Sequence, residues 1–263
     1  MTIRLSPGIL IAFEGIDGAG KTTQAVLLAE RLREVDLGVV LTKEPTAGPW
    51  GQKLRESAAS GRLSADEEFK AFIEDRKEHV RERIAPALDA GNVVIVDRYY
   101  LSTAAYQGAR GMDPDELMRF NERFAPKPDI CFLLKIDPAA GLARIRRRDG
   151  KENHFEKEED LRDVATKFDS LQRDFIRRLD GTAPVDCLNR LILRDIYNGP
   201  LFQRLCLKSH YKDECEPAYC TERVSEICDY IKVGDLVPAP TEEQVEDAIE
   251  TAKQMLCVDE LPT

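Results

Sequence analysis

The chain has 263 residues, of which 43% are hydrophobic and 33% are charged, the balance of an ordinary globular protein. A net charge of −10 argues against nucleic-acid binding through a general basic surface, so an anionic ligand needs a local cluster of positive groups. No apolar run approaches the roughly 20 residues that a membrane span requires, so we expect no membrane association.

Short apolar segments alternate with helical patterns from the start of the chain. Four of these segments are predicted to be buried strands: Gly8–Phe13, Gly38–Thr42, Val93–Val96 and Asp129–Ile136. Apolar residues at helical spacing follow the first strand in Thr22–Val35. Strands that are apolar throughout and alternate with helices predict an α/β fold, a parallel sheet covered by helices on both faces. Ligands of such sheets bind beyond the carboxyl ends of the strands.

The regular pattern lapses after about Arg178. Residues 181–228 are polar and rich in cysteine, and we expect them to form a mostly helical insertion that takes no part in catalysis. Order returns at Asp229–Val233, the predicted fifth strand, and a closing helix is predicted for Pro240–Leu256. The sequence therefore predicts one domain over residues 1–263, with the insertion placed before its last strand.

A glycine-rich motif lies between the first predicted strand and the first predicted helix. Residues 15–22, GIDGAGKT, fit the pattern G-x-x-x-x-G-K-[ST], whose backbone N–H groups surround the phosphates of a nucleoside triphosphate. Lys21 is expected to reach the β- and γ-phosphates, and the Thr22 hydroxyl to bind Mg²⁺. The predicted nucleotide-binding residues are Gly15, Ile16, Asp17, Gly18, Ala19, Gly20, Lys21, Thr22 and Thr23. The alternative is a glycine-rich turn that binds nothing.

A cleaved signal peptide would remove this motif, because the motif begins only 14 residues into the chain. We therefore expect a cytoplasmic protein.

Three further stretches follow the motif: EPTAGPWGQKLRE from Glu44, FIEDRKEHV over Phe72–Val80, and VDRYYLSTAAYQG over Val96–Gly108. Together with the motif they resemble the thymidylate kinase family over roughly Ile9 to Phe168. The resemblance implies a P-loop kinase fold with a five-stranded parallel sheet, and Mg²⁺-dependent transfer of a phosphoryl group from ATP to dTMP. It also implies a homodimer.

The resemblance assigns four of these residues to the acceptor. Arg98, at the end of a predicted strand, and Arg55 would grip the acceptor phosphate. Phe72 would stack on thymine, and Arg76, four residues later on the same helix face, would point at a base carbonyl. Without the resemblance, Phe72 would be assigned to the core. A solvated helix charge is the alternative for Arg55. A surface salt bridge is the alternative for Arg98, although its position at the ligand edge of the sheet favours phosphate binding.

Further residues complete the substrate pocket by resemblance. The Tyr106 ring would lie where a ribose 2′-hydroxyl would sit, and Gln107 would contact the base or its neighbours. Ser102, in the same stretch, is included in the predicted substrate-binding set. Glu44 matches the acid of the family's EP turn, although Lys43 stands where an arginine is usual, which keeps the charge and loses the bidentate fork.

The stretch GLARIRRRDGKENHFE carries Arg144, Arg146, Arg147 and Arg148 just before a glycine. Positions 17–19 of the phosphate loop hold no arginine, so this stretch resembles the arrangement in which an arginine of a mobile lid closes onto the phosphates. A solvated basic helix end is the alternative. Asp17 matches a family acid placed near the acceptor phosphate and the metal. The predicted catalytic residues are Lys21, Asp17, Arg98, Arg144 and Arg148.

The seven cysteines are an odd number, which argues against a secreted disulfide framework. Cys206, Cys215, Cys220 and Cys228, with His210 among them, offer ligands for zinc or an iron–sulfur cluster. They form no C-x-x-C pair, and buried thiols that pack as small apolar groups are the alternative.

Two other functions remain open at this point. A deoxynucleoside kinase would phosphorylate a sugar hydroxyl with a carboxylate base, for which Glu44 is a candidate, but Arg55 and Arg98 would then have no acceptor phosphate. A non-catalytic nucleotide sensor with the same fold is the second alternative.

Overall fold

The structure, a computed structural model, describes residues 2–149, 158–201 and 203–204. Its strands are β1 (Ile9–Glu14), β2 (Val39–Lys43), β3 (Val93–Asp97), β4 (Ile130–Lys135) and β5 (Ile176–Asp180). They form one sheet in the order β2-β3-β1-β4-β5, and every neighbouring pair is parallel. This confirms the predicted five-stranded parallel sheet.

Helices surround the sheet. In the described residues they are α1 (Lys21–Glu34), α2 (Pro49–Ser60), α3 (Ala65–His79), α4 (Ala85–Asp89), α5 (Tyr100–Gly108), α6 (Pro114–Asn121), α7 (Pro138–Asp149), α8 (Glu158–Ser170) and α9 (Val185–Ile196). A capping box starts α3, because the Ser64 hydroxyl and the Glu67 carboxylate each accept from the other's backbone N–H. A π-helical turn, Val80–Ile84, joins α3 to α4. None of the helices described combines the length and the apolar character that crossing a membrane requires.

The centre of the sheet is its most buried part. Every residue of β1 and β3 is buried, which explains their continuous apolar sequences. The rings of Phe13 and Phe132 pack 5.5 Å apart on neighbouring strands, and burial of such a side chain contributes about 1.5–3 kcal/mol. Phe13 pairs in register with Asp97, so the loop that follows β1 and the turn that follows β3 leave the sheet side by side.

The position of the fifth strand is corrected by the structure. The predicted strand, Asp229–Val233, lies outside the described residues, and Ile176–Asp180 pairs with β4 soon after α8 ends. This strand is at the edge of the sheet, and its sequence IRRLD carries two arginines in the middle. A partly solvated edge strand lacks the continuous apolar run by which the other strands are recognised.

The predicted insertion therefore begins after the fifth strand of the described sheet and does not precede it. Its described part is helical, as expected, since α9 covers Val185–Ile196. The apolar face of α9 is buried, with Leu188, Ile192 and Leu193 among its buried residues. Because α9 packs on α1, this part of the chain belongs to the same core.

The proposed cysteine ligands, Cys206, Cys215, Cys220 and Cys228, and His210 lie outside the described residues, so a metal there stays a prediction. Within the described residues, Cys131 is a buried thiol and Cys187 a half-buried one. No group of three or more metal-binding side chains is found in that part of the chain.

Candidate active site

Two cavities meet at the carboxyl ends of β1 and β3. The larger, the phosphate-loop cavity, has a volume of about 660 Å³ and is lined by residues 17–24 of the loop and α1. The smaller, the Phe72 cavity, has a volume of about 320 Å³ and is lined by side chains of α2, α3 and α5. Asp17, Glu44, Pro45 and Arg98 line both cavities, so a group bound in one cavity lies next to a group bound in the other.

The glycines of the loop permit its close contacts. Gly18 has a φ of 78°, and a Cβ placed there would lie 2.3 Å from the carbonyl oxygen of Gly141. Gly15 has a φ of 138°, and its Cβ would lie 2.4 Å from the carbonyl oxygen of Leu134. Only glycine fits at these positions. The loop therefore packs directly against α7, the helix that carries the predicted lid arginines.

Lys21 lies at the start of α1 with its ammonium group inside the loop. Its Nζ donates to the carbonyl oxygen of Ile16 at 2.8 Å, and the side chain is buried. Burial, together with the positive charge of Arg98, lowers the pKa of Lys21 to about 8, although neighbouring carboxylates oppose this change. Lys21 therefore remains mostly charged at neutral pH, as phosphate binding requires.

Thr22 and Asp97 form the part of the site suited to a metal ion. The Thr22 hydroxyl donates to Oδ2 of Asp97. The other oxygen, Oδ1, is buried and has no hydrogen-bond partner among the described residues. Hydroxyl and carboxylate oxygens are the ligands that Mg²⁺ prefers, so this pair fits magnesium. The sequence analysis named only Thr22, although the place of Asp97 at the end of β3 was a usable signal.

Arg98 and Asp17 form an ion pair at the border of the two cavities. Nη2 of Arg98 donates to the Asp17 carboxylate, and Nη1 donates to the Ser102 hydroxyl at 3.2 Å. Tyr106 donates to the other oxygen of Asp17 at 2.7 Å, and the guanidinium of Arg98 lies 5.4 Å from the centre of the Tyr106 ring. The structure thus brings together four of the predicted site residues.

The charge of Asp17 is fixed by these neighbours. Burial raises the pKa of Asp17, but Arg98, Lys21 and Tyr106 outweigh burial and lower that pKa to about 2. Asp17 is consequently ionised at neutral pH and is a poor proton acceptor. Its structural effect is to hold Arg98 and Tyr106 in place.

Arg76 is buried in a network of protein side chains. Its Nε and Nη2 donate to Oε2 of Glu44 at 2.9 and 2.6 Å, Nη2 donates to Thr103 at 3.0 Å, and Nη1 donates to Asn121 at 2.6 Å. His79 lies 3.0 Å from the other oxygen of Glu44. Burial raises the pKa of Glu44, but Arg76 and His79 outweigh burial and hold it below its usual range. Glu44 is therefore a paired anion.

Arg76 nevertheless lines the Phe72 cavity. A guanidinium has five N–H groups, and the four hydrogen bonds to described residues leave one that is not used there. Phe72, half-buried on the same helix, lines the cavity beside Arg76. Arg55 of α2 lines it from the other side and donates to the carbonyl oxygen of Pro45 at 3.3 Å. The predicted acceptor residues therefore share one cavity.

Gln107 is oriented by a carboxylate that the sequence analysis missed. Its Nε2 donates to Glu68 at 2.9 Å, while its buried Oε1 has no partner among the described residues. Arg62 and Arg110 also donate to Glu68. Glu68 lies four residues before Phe72, so helical spacing placed it on the cavity face of α3.

The lid arginines differ in position. Arg144 donates to the carbonyl oxygens of Gly181 at 2.9 Å and Gly18 at 3.3 Å, and both Arg144 and Arg147 line the phosphate-loop cavity. Arg146 is exposed. The side chain of Arg148 falls outside the described part, so its catalytic role stays a prediction.

Residues after β5 also line the phosphate-loop cavity, among them Gly181, Val185 and Leu188. Gln24 of α1 connects the loop side to α9, since its Nε2 donates to the Val185 carbonyl at 2.9 Å and its Oε1 accepts from Asn189 at 3.3 Å. The start of the predicted insertion thus lines the phosphate-loop cavity, and the expectation that the insertion takes no part in catalysis stays a prediction.

The parallel sheet carries a phosphate-binding loop after its first strand, and a second cavity lined with arginines lies beside that loop. These features define a P-loop kinase that phosphorylates a small molecule. The family model for thymidylate kinase matches residues 13–192. A thymidylate kinase of Xanthomonas oryzae pv. oryzae (strain PXO99A) is 53% identical over 191 residues, which are 72% of this chain and 84% of that protein. One from Xylella fastidiosa (strain M12) is 50% identical over 176 residues, 67% of this chain and 81% of that protein.

The chain belongs to the thymidylate kinase family. The match extends beyond Phe168, the limit of the resemblance recognised in the sequence, and includes β5 and most of α9.

Proposed function

We propose that the chain transfers the γ-phosphoryl group of ATP to dTMP, giving ADP and dTDP. The observation that carries this proposal is the position of the Arg98–Asp17 pair, which lines both cavities. A triphosphate held by the loop and a monophosphate held by Arg98 would meet at this border, as in-line transfer requires.

On the donor side, the backbone N–H groups of the loop and Lys21 hold the phosphates. Arg144, tied to the loop through the Gly18 carbonyl, adds positive charge beside them, which favours the charge distribution of the transition state. Thr22 and Asp97 would hold Mg²⁺, as their oxygens are suited to it. When bound, Mg²⁺ neutralises the charge of the β- and γ-phosphate oxygens.

On the acceptor side, Arg98 and Arg55 supply the positive groups for the phosphate of dTMP. The Phe72 ring offers a flat face for thymine. The remaining N–H of Arg76 and the unpaired Oε1 of Gln107 offer one donor and one acceptor, which suits a carbonyl and the N3–H of a pyrimidine. Tyr106, held through its hydroxyl by Asp17, would lie against the sugar.

The geometry argues against transfer to a sugar hydroxyl. That reaction needs a carboxylate able to accept a proton. Glu44 is paired with Arg76 and His79, and Asp17 is paired with Arg98 and Tyr106. Both carboxylates are therefore poor bases, while the arginines at the border would lack an acceptor phosphate.

An assay that couples ADP formation to NADH oxidation tests the proposal. ATP is supplied with dTMP, dUMP, the ribose analogue of dTMP, or thymidine. We expect turnover of dTMP and none of thymidine. EDTA should abolish formation of dTDP when the product is detected directly, without the coupling enzymes. Thymidine consumption would favour the hydroxyl kinase, and absence of turnover with every acceptor would favour a nucleotide sensor. A Lys21→Ala preparation purified identically controls for contaminating kinases.

We also propose that the protein is a homodimer, by resemblance to its family. Light scattering during size-exclusion chromatography tests this. A mass equal to one chain at the concentrations of the assay would contradict it.

A further inference from the structure

Glu14, the last residue of β1, holds the start of α5. Its side chain has 0% exposure. Oε1 accepts from the backbone N–H groups of Tyr99 at 2.9 Å and Ser102 at 3.0 Å, and Oε2 accepts from the Ser102 hydroxyl at 2.5 Å. The N-cap residue of α5, Tyr99, makes no side-chain cap of its own. A carboxylate from a neighbouring strand therefore replaces the usual N-cap.

The helix that Glu14 caps forms one wall of the Phe72 cavity. Four residues of α5 line that cavity: Ser102, Thr103, Tyr106 and Gln107. A change in the first turn of α5 would shift this wall relative to Phe72 on α3. The loop on the other side of Glu14 begins at the next residue, so Glu14 also fixes the distance between the loop and the wall.

Ser102 connects Glu14 to Arg98. A hydroxyl carries one hydrogen, and Ser102 donates it to Glu14 at 2.5 Å. The oxygen of Ser102 is then directed to accept from Nη1 of Arg98 at 3.2 Å. The carboxylate thus determines which way the hydroxyl points, and the hydroxyl helps to aim the guanidinium at the border of the two cavities.

We propose that Glu14 is a positioning residue of the acceptor site, which sets the first turn of α5 and the direction of Arg98 without touching either substrate. This inference rests on the proposed function, because it concerns the binding of dTMP. The chemistry of the side chain supports it. A buried carboxyl group is unfavourable here, since burial raises the pKa of Glu14 to about 7, although Ser102 and Arg98 act in the opposite direction. A residue needed only to fill space would be apolar, whereas Glu14 has hydrogen-bond partners for both of its oxygens.

Steady-state kinetics of Glu14→Gln, with ATP and dTMP varied separately, test the proposal. Glutamine keeps a carbonyl oxygen for the two backbone N–H groups, but its amide nitrogen cannot accept from the Ser102 hydroxyl. We expect the KM for dTMP to rise about tenfold or more and the KM for ATP to stay within about twofold.

Asp113→Asn is the matched control. Asp113 caps α6 by accepting from the backbone N–H groups of Asp115 at 2.8 Å and Glu116 at 3.1 Å. Its substitution removes the charge of a helix cap outside both cavities and keeps an oxygen for the two N–H groups, as Glu14→Gln does, so both KM values should stay unchanged. If Glu14→Gln behaves like Asp113→Asn, with both KM values unchanged, the inference is overturned.

Ser102→Ala provides a second route if Glu14→Gln does not fold. It leaves Glu14 on the backbone N–H groups and removes the link to Arg98, so it too should raise the KM for dTMP selectively. Its effect should not add fully to that of Glu14→Gln in the double variant, because both break the same connection. An unchanged KM for dTMP in Ser102→Ala, or full additivity, would overturn the inference. Wild-type enzyme that fails to phosphorylate dTMP overturns the proposed function as well, whereas active wild type with unaltered variants overturns the inference alone.

Discussion

The two cavities are lined by different kinds of chain segment. The phosphate-loop cavity is lined largely by consecutive residues, 17–24, whose backbone conformation is set by local glycines. The Phe72 cavity is lined by side chains of α2, α3 and α5, together with Asp17 and Arg98 from the turns that follow β1 and β3. A ligand site of the first kind can be read from one short motif, whereas a site of the second kind exists only after the fold has assembled it.

The difference extends to energetics. Three cations of the Phe72 cavity are paired with carboxylates: Arg76 with Glu44, Arg98 with Asp17 and Arg62 with Glu68. Removing one partner of a buried pair leaves an uncompensated charge. Lys21, by contrast, contacts its own loop. Acceptor binding should therefore share residues with stability, and donor binding should not.

Arg76→Met tests this difference with the largest expected effect. It leaves Glu44 buried beside His79 without its main cation, so the free energy of unfolding in urea should fall by about 3–5 kcal/mol. The control is Arg81→Met, which removes an exposed pair with Glu82 and should leave the free energy of unfolding nearly unchanged. Equal losses in the two variants would mean that the Arg76 network does not support the fold.

Lys21→Ala should have the opposite profile. Loss of a positive group from the phosphates should lower kcat by about a hundredfold to a thousandfold. The unfolding free energy should change little, because burial already disfavours the charge of Lys21. Lys53→Ala, an exposed lysine of α2, is the control. Turnover within about tenfold of wild type would refute the assignment of Lys21 to the phosphates.

The pH dependence of stability gives an intermediate effect, centred on Glu14. Its pKa is raised from 4.5 to about 7 by burial, so between these values the folded protein keeps a proton that the unfolded chain has lost. Stability therefore falls as pH rises through this window, by up to about 1.4 kcal/mol per pH unit. The charged or titratable groups that interact with Glu14 are Arg98, Lys21 and Cys131.

Glu14→Gln should lack this slope. Urea unfolding of both proteins from pH 4.5 to 7.5 measures it, and the difference between the two curves cancels the other carboxylates. Parallel curves would show that Glu14 ionises normally in the folded state.

The same contrast explains which features of the fold and of the site could be predicted from the sequence. The continuous apolar runs of β1 and β3 and the glycines of the loop are local signals, and they predicted the centre of the sheet and the nucleotide site. β5 was misplaced because an edge strand with two central arginines lacks such a run. Glu68 was missed because its contact with Gln107, 39 residues away in the chain, is visible only in three dimensions.

Residue roles assigned by resemblance to the family show the same difference between local and assembled features. The sequence predicted that Arg76 would face the base, and the structure places it at the cavity but gives four of its five N–H groups to Glu44, Thr103 and Asn121. No pattern in the sequence pairs these positions, since they come from separate elements. The role of a charged residue in this cavity thus depends on partners that its own neighbourhood does not reveal.

The smallest expected effect is that of substituting Tyr106, where two variants distinguish the role of the hydroxyl from that of the ring. Its hydroxyl donates to Asp17 at 2.7 Å, while its ring packs edge-on against Phe168 and faces Arg98. Tyr106→Phe removes only the hydroxyl, so kcat/KM for dTMP should fall by no more than about tenfold, the value of one hydrogen bond. The ratio of kcat/KM for dTMP to that for its ribose analogue should stay within about twofold.

Tyr106→Ala also removes the ring, which is the part proposed to exclude a 2′-hydroxyl. Its overall rate should fall because Arg98 loses a packing partner, but that loss affects both acceptors and cancels in the ratio. The ratio itself should drop by about tenfold, as expected for a steric contact. If the ratio is unchanged in Tyr106→Ala, the ring does not select the sugar, and if Tyr106→Phe relaxes the ratio equally, selection depends on the hydroxyl and on Asp17. The wall of the Phe72 cavity would then discriminate through its charged network and not through its shape.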